Sequence, residues 1–270
     1  MGFEFLIEHI NDLPPLPESI QKIQSLYING NPDTKILVSL IESDPILTAD
    51  ILSKVNAPCY SFSKNIVSIM QAVTLLGLST IHGFVLSSAV NRNFEIDMTP
   101  YNVSNESFSN MCNLQSALMF QWYMSVNIEQ VKFLAPIAFL MEIGKVIIVN
   151  EVNNSDYIEI FQDEIKQSID IVEVEKLFTD MTSTQIASLL FKHWNFDELF
   201  ITTIKYMDNL TEAPKDVIDY IKVLNVVRKA ININNILTDE SIEEAAILVE
   251  NLGLNKKRFL QTAIRLQSTI

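Results

Sequence analysis

Residues 139–148 read FLMEIGKVII, in which one carboxylate, Glu142, and one ammonium, Lys145, interrupt side chains otherwise suited only to a core. A carboxylate in that setting can serve as a ligand for a hard divalent cation or as a working acid. Failing those, it must reach water or pair with a basic residue, because a buried unpaired carboxylate is costly. The rest of the chain narrows these options.

The three histidines, His9, His82 and His193, stand far apart, and none has another at the i+3 or i+4 spacing that puts two imidazoles on one helix face. Each reads as a surface or hydrogen-bonded histidine. No tight group of Asp and Glu stands out on an apolar face. The G-x-S-x-G, P-loop and G-x-G-x-x-G patterns are absent, and six glycines leave little material for a phosphate-cradling loop. Cys59 and Cys112 are too widely separated for a zinc knuckle and read as buried, reduced thiols. No metal and no organic cofactor is expected.

Charge limits the partners. A formal net charge of −14 repels phosphate backbones and anionic lipid surfaces. The loose helix-turn-helix spacing in AILVENLGLNKKRFLQTAIRL therefore does not read as a DNA-binding element. Lys256, Lys257 and Arg258 read as a solvated helix face. The N-terminal MGFEFLIEHINDLPPLP has a short, acidic apolar run without a basic segment ahead of it, unlike a secretory signal. The longest apolar stretch, FLAPIAFLMEIGKVIIV, contains Pro136, Glu142 and Lys145 and reads as buried helix rather than membrane span. A cytoplasmic location follows as the expectation.

The elements that must position Glu142 and Lys145 are helical. About 48% of the 270 residues are hydrophobic, Gly is scarce, and apolar residues recur with helical period. Ile20, Ile23, Leu26 and Tyr27 mark one helix, which NGNP (29–32) ends. Ile36, Leu37, Leu40 and Ile41 mark the next. Asp44-Pro45 starts a third, as cap and first-turn proline. Gly77 stops a fourth, and Ser79 starts a fifth. Later helices are expected near 104–125, 129–150, 154–168, 171–178, 197–208, 213–230 and 256–268. Capping boxes are read at Thr182/Gln185 and Ser241/Glu244. The fold class is all-α. The polar interval 91–107 suggests a hinge, which divides the chain into an N-terminal lobe, 1–95, and a larger lobe, 104–270.

Four motifs taken together resemble the HDOD domain, the HD-related output domain of bacterial signalling proteins. These are the LP-x-LP opening at Leu13 to Pro17, Asp44 with Pro45, the stretch Lys54 to Ala57 that ends that helix, and the S-I-x-x-A-V-x-x-L-G run from Ser68 to Gly77. The resemblance covers about residues 10–210 and leaves the C-terminal 60 outside. It implies a multi-helical fold related to the HD phosphohydrolases, whose catalytic members hold metal with histidines and an Asp. In this chain the dyad segment L-L-H-D-I-G-K becomes FLMEIGK, with Met141 for the His and Glu142 for the Asp, while Gly144 and Lys145 match. Met111, Ser183 and Met207 with Asp208 stand where other histidines of the pattern would be. Thioether, hydroxyl and acid in place of imidazole amount to a lost metal site, because Met is a poor ligand for a hard cation. The resemblance thus implies a non-enzymatic regulatory module that acts through protein partners, in two-component, cyclic-dinucleotide or motility control. A small-ligand sensor using the decayed pocket is the first alternative, and a metal-dependent phosphohydrolase the second.

Overall fold

The computed structural model of the protein describes residues 7, 10–13, 15–28, 33–94, 96–168 and 170–270, with the backbone alone at Asn91 and Asn93. His9, Pro14 and the NGNP stop lie outside the described residues. Among those described, regular structure is helical, apart from one isolated bridge between Ile231 and Ile236.

Where the sequence supplies a cap, a helix begins. Helix α1 (Glu18–Ile28) buries Ile20 and Ile23. Asp33 accepts from the backbone N–H groups of Lys35 and Ile36 and starts α2 (Thr34–Glu42). Asp44 caps α3 (Pro45–Val55) by accepting from Leu47 N–H at 3.0 Å, with Pro45 in the first turn. Helix α4 (Ile69–Asn93) is broken at Gly77, whose φ of 80° and ψ of 160° leave the helical region. Two helices therefore meet at Gly77 within α4, as the expected stop at Gly77 and new start at Ser79 require. A Cβ at Gly77 would meet no atom within 4 Å, so its requirement is conformational alone. Gly77→Ala accordingly costs about 1–3 kcal/mol in chemical denaturation. A loss below a few tenths of a kcal/mol would mean that this backbone relaxes freely.

The remaining helices are α5 (Asn105–Tyr123), α6 (Ile128–Leu140), α7 (Gly144–Asn153), α8 (Ile158–Gln167), α9 (Ile171–Thr179), α10 (Ser183–His193), α11 (Glu198–Lys205), α12 (Ile218–Ala230), α13 (Asp239–Asn251) and α14 (Lys256–Gln267). Two sequence expectations change. The single helix expected at 129–150 is two, α6 and α7, joined by a turn at 141–143. Ser241 is not the cap of α13. Thr238 is, accepting from Ser241 N–H at 3.1 Å, and the Ser241 hydroxyl instead donates to Ala230 O at 2.9 Å.

The chain forms two compact units. One comprises the described residues up to Pro15, Val90–Ser109 and Met141–Ile221. The other comprises Leu16–Ala89, Asn110–Leu140 and Lys222–Ile270. The boundary read from the sequence at 95–104 falls inside the first unit. The reason is packing: Met98 and Tyr101 are buried within the polar interval. Asn105 also ties it down, accepting from Met98 N–H at 2.8 Å and donating to Ile96 O at 2.6 Å.

In the first unit α10 packs on α7 and α11, and α8 packs on α9 and on a 3-10 turn at Thr99–Tyr101. Its core includes Phe161, which meets Tyr101 and Phe178 edge-on. In the second unit α1, α2 and α3 pack in sequence and α13 packs on α14. Phe84 meets Phe139, and Trp122 meets Phe259, both edge-on. The stretches 69–90 and 128–153 are long and apolar enough to cross a membrane, yet 89% of the most apolar window of the second is buried inside the protein. Its apolarity serves a core.

Candidate functional site

Gly144 decides where Lys145 sits. A Cβ on Gly144 would lie 1.8 Å from the backbone oxygen of Ser183, so only glycine lets the start of α7 approach the start of α10 this closely. The turn at 141–143 carries Glu142 into the first unit's interior, and α7 places Lys145 one turn further on. From α10, the capping box of Thr182 and Gln185 fixes the first turn and presents Ser183. Helix α9 contributes Glu175, on the same stripe as the buried Val174 and the half-buried Ile171 and Phe178.

The result is a buried polar cluster. Glu142, Lys145, Glu175 and Ser183 are each at most 3% exposed. The Lys145 ammonium donates to Glu142 Oε2 at 3.0 Å, Glu175 Oε1 at 2.7 Å and Ser183 Oγ at 2.9 Å. An ammonium has three N–H donors, and here three acceptors take them. Its Nζ also lies 5.6 Å from the centre of the Tyr101 ring, within cation–π range. Glu175 Oε1 accepts a second bond from Tyr101 OH at 2.9 Å, and its Oε2 accepts from Ser183 N–H at 2.8 Å. That last bond puts a carboxylate at the N-terminus of α10, where the helix dipole favours it.

The start of α10 reaches a second acid. Thr184 Oγ1 donates to Asp208 Oδ2 at 2.6 Å and lies 2.9 Å from Thr182 Oγ1. Asp208 is half-buried, just beyond the end of α11, and Met207 beside it is buried. Of the sequence-derived positions, then, Glu142, Lys145 and Ser183 meet directly. Asp208 joins at one remove, through Thr184. Met141 is a fully buried core residue of the turn. Met111 is buried on α5, in the second unit.

Two members escaped the sequence reading. Glu175 carried a legible signal, since it occupies the apolar stripe of α9 as Glu142 occupies its own apolar run. Tyr101 carried none, because it lies in the interval taken for a hinge.

Two buried carboxylates share one ammonium. The desolvation cost of such a group is offset only when its polar atoms are partnered, and the three bonds from Lys145 engage all three of its donors. Both hydroxyls of the cluster are engaged, Ser183 accepting from Lys145 and Tyr101 donating to Glu175.

A metal fits poorly here. Among the described residues no three His, Cys, Asp or Glu side chains gather as a ligand set. The two carboxylates that do converge enclose a positive charge already, which would repel a divalent cation. The positions occupied by Met111, Met141 and Met207 offer thioethers, which are soft donors.

The remaining histidines and thiols belong to other settings. His82 is stacked on Tyr27 at 3.7 Å and its Nε2 lies 2.8 Å from Gln24 Oε1. Burial depresses its pKa to about 3, so it is neutral in the fold. His193 is half-buried at the end of α10. Cys59 and Cys112 are buried thiols outside any disulfide, and burial pushes the Cys59 thiol up to about 12.

Comparison with known proteins agrees with this architecture. The family model of the HDOD domain matches residues 13–210. An uncharacterized protein of Treponema pallidum is 22% identical over 220 residues, and the match spans 78% of this chain but only 40% of that protein's length. A candidate phosphohydrolase from Shewanella amazonensis superimposes with a TM-score of 0.73 at 17% identity, over 98% of this chain and 94% of that one. A candidate signal transduction protein from Marinobacter aquaeolei gives a TM-score of 0.71 at 20% identity, over 96% of this chain and 57% of that one. At these identities the likeness is one of fold.

Proposed function

The chain belongs to the HDOD domain family, and from that premise we propose that it is a non-enzymatic regulatory module of bacterial signal transduction, acting through contacts with protein partners. The observation that carries the reading is the dyad itself: Met141, in place of the His, is buried in the core, and Glu142, in place of the Asp, is taken up by Lys145. Where the resemblance would put the metal dyad of a catalytic HD protein, an ammonium is held between Glu142 and Glu175 at 3.0 and 2.7 Å. A carboxylate engaged with an ammonium is not offered to the metal ion that would generate hydroxide in metal-assisted hydrolysis. The Shewanella relative's name points toward hydrolysis, but the donor set of this chain does not support carrying it over. A decayed pocket open to a small ligand is likewise disfavoured, since Lys145 and its acceptors fill it. Burial of the apolar stretch 128–153 and the net charge of −14 support a cytoplasmic setting without membrane insertion or nucleic-acid binding.

The test is metal stoichiometry with a hydrolysis assay on the same sample. Full-length protein is incubated with Mn²⁺, Fe²⁺ or Zn²⁺, dialysed and counted by mass spectrometry. A bis(4-nitrophenyl) phosphate assay runs alongside. The expected result is near-zero metal and no turnover above buffer. About one or two metals per chain, as in hydrolytic centres, lost on Glu142→Gln together with activity, would overturn the proposal.

A further inference from the structure

The surface of the second unit carries an open pocket of about 580 Å³ beside the Gly77 break. Pockets of roughly 300–1,000 Å³ are the size that encloses most of a small organic ligand. Leu75, Leu76, Phe120 and Val131 supply apolar walls from α4, α5 and α6. One wall is rigid: Tyr27 stacks on His82 and donates its hydroxyl to Leu78 O at 2.7 Å. Around the pocket stand large apolar side chains that solvent reaches, Leu75 at 44%, Met124 at 39% and Ile128 at 58% exposed. Isolated exposed apolar residues need no explanation, but a group of them lining one concavity marks a binding surface.

Among the described residues, one charged side chain lines this pocket, Lys132. Its present partner is Glu129, three residues away on the same helix, at 2.8 Å, in a pair that is largely exposed. Such a surface pair contributes little, about 0–1 kcal/mol, so the ammonium can be turned to a ligand at small cost.

We infer that this pocket binds a small amphipathic anion, an aliphatic or aromatic body carrying a single acidic group, with the body against the Leu75–Phe120–Val131 walls and the acid on Lys132. The inference stands apart from the proposed function. It concerns a different unit from the Glu142–Lys145 cluster, and its failure leaves the metal test untouched.

The probe is 8-anilinonaphthalene-1-sulfonate, an aromatic body with one acidic group. The full-length folded protein is titrated and fluorescence recorded, with dodecanoate as competitor. Expected is saturable binding at one site per chain, displaced by dodecanoate. Lys132→Glu should weaken the sulfonate probe by about tenfold or more, the loss of one charge-assisted contact. The same change should leave the uncharged N-phenyl-1-naphthylamine bound as before. Met124→Trp, at an exposed lining position, should weaken both probes with an unchanged helical circular dichroism spectrum. Non-saturable binding would overturn the inference. So would binding that survives both substitutions in folded protein, or equal weakening of charged and uncharged probes by Lys132→Glu.

Discussion

Lys145→Met lowers the melting temperature of the protein by roughly 10 °C, the shift expected when a buried ion pair loses one partner at a cost of about 3–5 kcal/mol. Methionine keeps most of the lysine's length and apolar stem, so the change removes the charge and little packing. It leaves Glu142 and Glu175 facing each other without the ammonium, each at most 2% exposed. Glu175 retains Tyr101 OH and Ser183 N–H, whereas Glu142 loses its 3.0 Å contact with the ammonium. The double variant Lys145→Met/Glu142→Gln should recover part of the loss, because one of the two uncompensated charges is then gone. Thermal unfolding followed by circular dichroism, arranged as a double-mutant cycle, measures the coupling. A Lys145→Met protein within a degree of wild type would refute the account of a buried, fully partnered ammonium.

Gly144→Ala is the other large effect, and its cause is purely steric. One added methyl would sit 1.8 Å from Ser183 O, with the Ser183 carbonyl carbon 2.6 Å away. These are backbone atoms, so no side chain can swing aside, and α7 and α10 must part. Separation stretches Lys145–Ser183 at 2.9 Å and disturbs the cluster that Ser183 joins. A loss of about 3 kcal/mol or more is expected, at the upper end for overpacking. Gly83→Ala is the control. Its Cβ would come within 3.0 Å of a Pro136 side-chain atom, a tight approach that a shift of a few tenths of an ångström relieves. Chemical denaturation of the two variants should rank Gly144→Ala well below Gly83→Ala. Equal stabilities would mean that the α7–α10 approach is looser than described.

Much of the fold was legible because the local signals were strong. Asp44-Pro45, Thr182 with Gln185, and Gly77 each act through chemistry confined to a few residues, and each marks a helix boundary or break in the structure. Ser241 was misread because Ser-x-x-Glu spacing also occurs inside a helix whose cap lies three residues earlier. The turn at 141–143 was hidden for another reason. An apolar run buried on all sides has no amphipathic period to lose, so nothing in 129–150 announces a break. The site was half legible. Glu142 and Lys145 stood out against their apolar neighbours, and family resemblance singled out Ser183 and Asp208. Tyr101 and Glu175 lie 44 and 30 residues from Lys145 in sequence, and only the tertiary fold brings them to it. The interval 91–107 reads as a hinge from its polar composition, yet Met98 and Tyr101 inside it are buried.

The interleaving of the two units governs how this chain can be cut. The backbone passes between them after Pro15, Ala89, Ser109, Leu140 and Ile221, so no single scission releases either one. A fragment trimmed to the family match, 13–210, would stop short of Ile221 and discard everything that follows. That tail is structural. Gln115 donates to Ile231 O at 2.9 Å in the interior, and Trp122 rests edge-on against Phe259. Excision at 210 would therefore open the second unit's core to solvent and yield a sticky, aggregation-prone product. Expression, fusion and two-hybrid baits built from this protein belong on the uninterrupted chain.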